Sequence, residues 1–122
     1  CPGIVGDKLL DYSQIVLELE NEKEIPLRHE LFDPDALVFD KLNSSTVAIV
    51  NPATGKGVEM DFSQFPMLGI WSAINNGPYV CLEPWTGCGT IATEGNEFEK
   101  KKGMEFLSAG GRKVYSFSVR FL

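Results

Sequence analysis

The sequence predicts an all-β protein, an antiparallel β-sandwich, from three observations. No long segment holds a clean 3.6-residue apolar period, so amphipathic helices are not indicated. Two-residue alternation recurs instead: Ile15, Leu17 and Leu19 against Val16, Glu18 and Glu20, then Val58, Met60 and Phe62 against Gly57, Glu59 and Asp61. Near the end, Tyr115, Phe117, Val119 and Phe121 share one face, while Ser116, Ser118 and Arg120 share the other. A period of two puts one set inward and the other in water, which makes this last run the clearest expected strand. Turn-forming clusters separate the runs, as in sandwich and barrel-like sheets.

Taken in order, the alternating run from Ile15 gives way to a charged loop, Asn21–Pro26. Strands are expected at Ala36–Leu42 and Thr46–Val50. "NPATGKG" (Asn51–Gly57) then combines Asn-Pro with two glycines, a turn before the Val58 run. Met67–Trp71 and Tyr79–Glu83 are the next strands, joined through "NNGP" (Asn75–Pro78), whose asparagines and glycine tolerate positive φ. A shorter pair is expected to flank Gly103, and "SAGG" (Ser108–Gly111) precedes the last strand. There is no internal repeat, low-complexity tract or linker.

The 122 residues suit one domain, and 43% apolar with 23% charged residues is ordinary for a globular protein. A net charge of −6 argues against a nucleic-acid partner, which needs a basic face. The one basic cluster, Lys100–Lys102, stands beside Glu97 and Glu99 and reads as solvated surface. No apolar run is long enough to cross a membrane, so no membrane partner is expected. Three cysteines, none in a CxxC pair, and one histidine give no zinc pattern. Reduced thiols and a cytoplasmic setting are the expectation.

The chemistry-bearing candidate is Glu83 in "YVCLEPWTG". Alternation places Tyr79, Cys81 and Glu83 on one face, and Pro84 is expected to end the strand there. A carboxylate at a strand end beside Trp85 has an apolar plate suited to a sugar ring. The ordinary alternative is a surface glutamate before a turn. Trp71 closes another expected strand, where the ordinary reading is a core tryptophan. Asp35 follows Pro34, where an aspartate commonly starts a strand. His29 has no assigned role. "NPATGKG" lacks the glycine spacing and the Ser/Thr of a phosphate loop. A carboxylate pair of Glu83 with Asp61 or Glu94 has no supporting spacing.

"FPMLGIWS" (Phe65–Ser72), "PYVCLEPWTG" (Pro78–Gly87) and "FEKKKGMEFL" (Phe98–Leu107), in that order, resemble the C-terminal portion of the aldose 1-epimerase family, in its galactose mutarotase-like, LacX-type branch. "DYSQIVLELE" (Asp11–Glu20), "ELFDPDALVFDKLNSSTV" (Glu30–Val47) and "MDFSQFP" (Met60–Pro66) extend the resemblance over nearly the whole chain. The resemblance implies a large antiparallel sandwich with a sugar cleft, and an isomerase that interconverts the α and β anomers of a hexose such as galactose or glucose. It implies Glu83 as the general base, Asp35 as an acceptor for a sugar hydroxyl, and Trp71 and Trp85 as walls of the sugar site. No metal or cofactor is implied. The alternative is a non-catalytic carbohydrate-binding β-sandwich domain.

The family's general acid is a histidine in a Gly-His-Pro segment that runs shortly into Cys-Pro. This chain opens on Cys1-Pro2, so the matching histidine and the family's sugar-binding arginine are expected upstream. "TGCGT" (Thr86–Thr90) also departs from the more polar run expected there. The expectation is therefore that residues 1–122 are the C-terminal portion of one domain, with its N-terminal portion absent. Such a portion would be inactive alone, and would pair with a missing N-terminal segment or self-associate.

Overall fold

A computed structural model describes residues 1–122. Eight strands, all paired antiparallel, and two short 3-10 turns make the fold all-β and sandwich-like, with no α-helix. The strands are β1 (Pro2–Val5), β2 (Leu9–Ile15), β3 (Leu37–Phe39), β4 (Thr46–Val50), β5 (Gly57–Asp61), β6 (Met67–Trp71), β7 (Cys81–Trp85) and β8 (Ser118–Phe121). They form a β1–β2 hairpin and two three-stranded sheets, β3-β6-β7 and β4-β5-β8. No helix is long and apolar enough to cross a membrane.

The period of two explains how the sheets share a core. On β6, Leu68 and Ile70 point one way and join Leu37 and Phe39 of the neighbouring β3. Met60 of β5 meets them from the other sheet, and Phe32 and Phe62 close the cluster. β6 is the central strand and is buried on both faces, whereas β4 alternates between exposed and half-buried positions. Only 14 residues of 122 are buried, a thin core for this length.

Turn chemistry follows the side chains. The β6–β7 connection has both Asn75 and Asn76 in the left-handed region, at φ 65° and 59°. Paired positive φ values match the right-handed twist of a hairpin, and asparagine tolerates them. Between β4 and β5, the Asn51 side chain accepts a hydrogen bond from the Ala53 N–H at 2.9 Å. The Asn51 carbonyl accepts one from the Gly55 N–H at 2.8 Å.

Several expected elements shift. Thr46–Val50 and Met67–Trp71 form as strands with the expected limits, while Ala36–Leu42 narrows to Leu37–Phe39. The first strand is not the run from Ile15: β2 ends at Ile15, and Leu17 and Leu19 pack against the core without joining a ladder. Alternation there records burial alone. The strand expected to stop at Glu83 continues through Pro84 to Trp85. It can do so because β7 is an outer strand, where a missing N–H need not break a ladder. No strand pair flanks Gly103. Nearby, the Lys102 N–H is bound at 2.6 Å by Glu94 and the Lys101 ammonium at 2.7 Å by Thr90.

The last run is the largest correction. Only Ser118–Phe121 is a strand, and all four residues are exposed. β8 pairs with β5 alone, so Val119 and Phe121 extend the core-side face of that sheet beyond the part the other sheet covers. Phe121 is 86% exposed. Replacing it with lysine is expected to change unfolding free energy by less than about 0.5 kcal/mol, measured by urea denaturation. A loss of several kcal/mol would show that its ring is buried.

Candidate functional site

In an antiparallel pair, residues directly opposite one another share a face. The register pairs Met67 with Trp85, Gly69 with Glu83 and Trp71 with Cys81, and Val38 of β3 lies opposite Gly69. Leu82 packs against the core, so its neighbours Cys81 and Glu83 project from the other side of the sheet. The β6–β7 register thus brings Glu83, Trp71 and Trp85 onto one face.

The face has distinct ends. Trp71 lies against Tyr79, with ring centroids 6.0 Å apart and planes inclined at 55°. Ser72, buried beneath them, donates from its hydroxyl to the Tyr79 carbonyl at 2.7 Å and anchors that end of β7. At the other end, the six-membered ring of Trp85 reaches across the ladder to lie over Gly69. A concavity of about 340 Å³ opens beside it, between Phe65, Trp85 and the Thr86–Gly89 loop. Glu83 does not line this concavity; it sits at half-buried depth between Cys81 and Trp85.

Asp35 is not part of this cluster. It precedes β3, and Val38 rather than Asp35 stands in the row of Glu83. Three residues of extended chain separate the two rows by about 10 Å. Asp35 is held by the Lys8 ammonium at 2.5 Å and by the Ala36 N–H at 2.8 Å. Burial opposes its charge, but these donors outweigh burial and keep its carboxyl below the usual aspartate range. His29 stands exposed in the 3-10 turn His29–Phe32.

Lys102 departs from the solvated cluster expected at Lys100–Lys102. Its ammonium binds Asp40 and lies 3.0 Å from the Tyr12 hydroxyl, which itself donates to Asp40 at 2.6 Å. The Asp40 side chain is only 9% exposed. Burial disfavours its charge, yet the hydrogen bonds from Lys102 and Tyr12 hold the carboxyl below its usual range. For Lys102, burial works against the charge and the bonds to Asp40 and Tyr12 overcome it, so the ammonium stays protonated above the usual lysine range. Asp40 follows β3 in the row of Met67 and Trp85, so this clamp borders the face at its Trp85 end. Nearby, burial pushes the Cys88 thiol up, away from reactive thiolate character.

All three cysteines are free, and no group of three His, Cys, Asp or Glu side chains comes together to hold a metal ion. Sequence reasoning passed over Gly69 and the Tyr12–Asp40–Lys102 clamp. The signal for Gly69 was a glycine inside the apolar run "MLGIW", since glycine within a strand marks close approach by another group. The clamp joins residues 90 positions apart and has no local signature.

The fold is thus an antiparallel all-β one that sets a half-buried glutamate on the same sheet face as two tryptophans. Among known proteins, the chain is similar to the plasmid and chromosomal forms of protein LacX from Lactococcus lactis subsp. lactis. Each is 42% identical over 93 residues, which are 76% of this chain and 31% of the relative. The chain therefore spans about a third of the length of the curated relatives it matches. No family model and no solved structure matches it.

Proposed function

We propose that the Trp71–Glu83–Trp85 face is a hexose site and that Glu83 is the general base of anomer interconversion, as in aldose 1-epimerases. The observation that supports this most directly is the placement of Glu83 on one sheet face with both tryptophans. Indole offers an apolar plate to the C–H face of a pyranose, while the carboxylate accepts a hydrogen bond from a ring hydroxyl. Similarity to LacX proteins supports this reading, because the motifs resemble a LacX-type branch.

In the reaction, the Glu83 carboxylate takes the proton of the anomeric hydroxyl while a second group delivers a proton to the ring oxygen. The C1–O5 bond breaks to give the open-chain aldehyde. Rotation about C1–C2 then lets the hydroxyl close on the other carbonyl face, and both protons return. Each positioned transfer contributes about 10²–10⁴-fold, with no need for a metal or redox cofactor. The acid falls to a group outside the β6–β7 face. Asp35, ionised and held by Lys8, is suited to accept a hydroxyl rather than to donate the proton.

The test uses the 122-residue chain. Galactose or glucose is expected to change its tryptophan fluorescence in a saturable way, and Glu83→Gln is expected to retain binding within about threefold. Polarimetry of the chain alone is expected to show no acceleration of mutarotation. Imidazole, added as an external acid, is expected to produce an increment above imidazole alone that Glu83→Gln lowers by about 10²-fold. Equal increments from the two chains would refute the base assignment and leave a non-catalytic carbohydrate-binding domain. Absence of any saturable sugar response would remove the hexose site itself.

A further inference from the structure

Resting on the sugar-site reading, we infer that Gly69 is a positioning residue: its missing side chain is the slot that seats the Trp85 indole beside Glu83. Three observations support this. First, Gly69 is directly opposite Glu83, and β7 is an outer strand, so Gly69 is Glu83's only lateral neighbour within the sheet. Second, a Cβ placed on Gly69 would stand 2.7 Å from Cζ2, 3.0 Å from Cε2 and 3.1 Å from Cη2 of Trp85. All three atoms belong to the six-membered ring, so that ring occupies the space a side chain would fill. Third, neither backbone nor any other side chain is among these nearest atoms, so the close approach is specific to the indole.

The geometry has a direct chemical result. Glu83 would ordinarily share its row with a β6 side chain about 5 Å away. Here that place is taken by an aromatic ring from Glu83's own strand, two residues on. The carboxylate and the sugar-stacking plate therefore have a common support, and the distance between them is set at Gly69. The ring is rigid and cannot fold away from an added methyl group as the end of a lysine would. With ordinary carbon contacts near 3.5–4.0 Å, a methyl at residue 69 must lift the indole by about 1 Å. Misplacement on that scale is costly wherever two groups must meet one ligand together.

Two measurements separate this inference from the sugar-site reading. In a Trp71→Phe background, where Trp85 is the only tryptophan, Gly69→Ala is expected to shift the emission to longer wavelength. It should also increase acrylamide quenching about twofold, because the ring loses its seat. This measurement requires no sugar. Calorimetric titration with galactose and glucose, in chains that retain Trp71, is expected to show about tenfold weaker binding for Gly69→Ala. The same substitution on a Trp85→Phe background, where the smaller ring leaves room, is expected to change binding less than twofold. That double variant also provides a folded chain should Gly69→Ala alone fail to fold, and its recovery would itself support the clash. Unchanged Trp85 emission and quenching in Gly69→Ala would overturn the inference, as would an equal loss of binding in both backgrounds. Should the parent chain bind neither sugar, the hexose reading fails while the emission measurement still decides whether Gly69 seats the ring.

Discussion

Replacing Leu68 with alanine is expected to leave the chain largely unfolded at room temperature. Leu68 is 2% exposed, occupies the middle strand of β3-β6-β7, and lies in the cluster with Leu37, Phe39, Ile70 and Met60 that joins the two sheets. Removing three buried carbons costs about 2–5 kcal/mol, counting lost transfer energy and the cavity left behind. Few other residues are buried, so little reserve remains against a total stability that is about 5–15 kcal/mol in ordinary domains. Urea denaturation followed by circular dichroism would show a much lower midpoint or no cooperative transition. Val50→Ala, at a 45%-exposed position on β4, serves as the control and should shift the curve by less than about 0.5 kcal/mol. A Leu68 loss below about 1 kcal/mol would mean that the sheets are not held by this core.

The second large effect is expected at the clamp. Lys102→Met leaves the Asp40 carboxylate nearly buried with only Tyr12 as a donor, at an expected cost of about 2 kcal/mol. This is below the cost of breaking a wholly buried pair because Lys102 itself is 35% exposed. Adding Asp40→Asn should recover much of the loss, since the uncompensated charge goes with it. The pH dependence follows from the directions of the two shifts. Asp40 has a depressed folded value, so its contribution is present above its unfolded value and disappears as pH falls through the folded one. Lys102 has a raised folded value, so its contribution is complete below its unfolded value and is lost only as pH rises through the folded one. Both contributions are present near neutrality, and the acid loss begins below about pH 4. Unfolding curves across the acid range should therefore be steeper for the parent chain than for the double variant. Parallel curves would remove Asp40 as a source of acid sensitivity.

The central part of the fold was legible because its strands carry their own instructions. "MLGIW" and "TVAIV" are short apolar runs bounded by turn residues, and both form strands with the expected limits. Alternation in "YVCLE" set Glu83 on the face of Cys81, whereas Trp71 and Trp85 were grouped with it only by the family resemblance; the β6–β7 register is what puts all three on the same side. Alternation reports that two faces differ, not which neighbour covers the apolar one. Tyr115–Phe121 therefore suggested an inward strand, while Val119 and Phe121 lie beyond the partner sheet's cover. Asp35 could not be placed because its partner, Lys8, lies 27 residues away. Lys102 resembled its solvated neighbours because nothing near it in sequence announces Asp40 or Tyr12.

The clamp also has a consequence for the order in which the structure is acquired. β6 and β7 are separated by only nine residues, Ser72–Val80, so their pairing closes a short loop and can form early. The bonds from Lys102 to Tyr12 and Asp40 bring together segments 90 and 62 residues apart, and closures of that length are among the slower events for a chain of this size. The hairpin bearing Trp71, Glu83 and Trp85 can thus form before its border is fastened. Tryptophan signals from that hairpin should develop ahead of the protection of backbone amides around Lys102, making the candidate site an early structure and its border a late one.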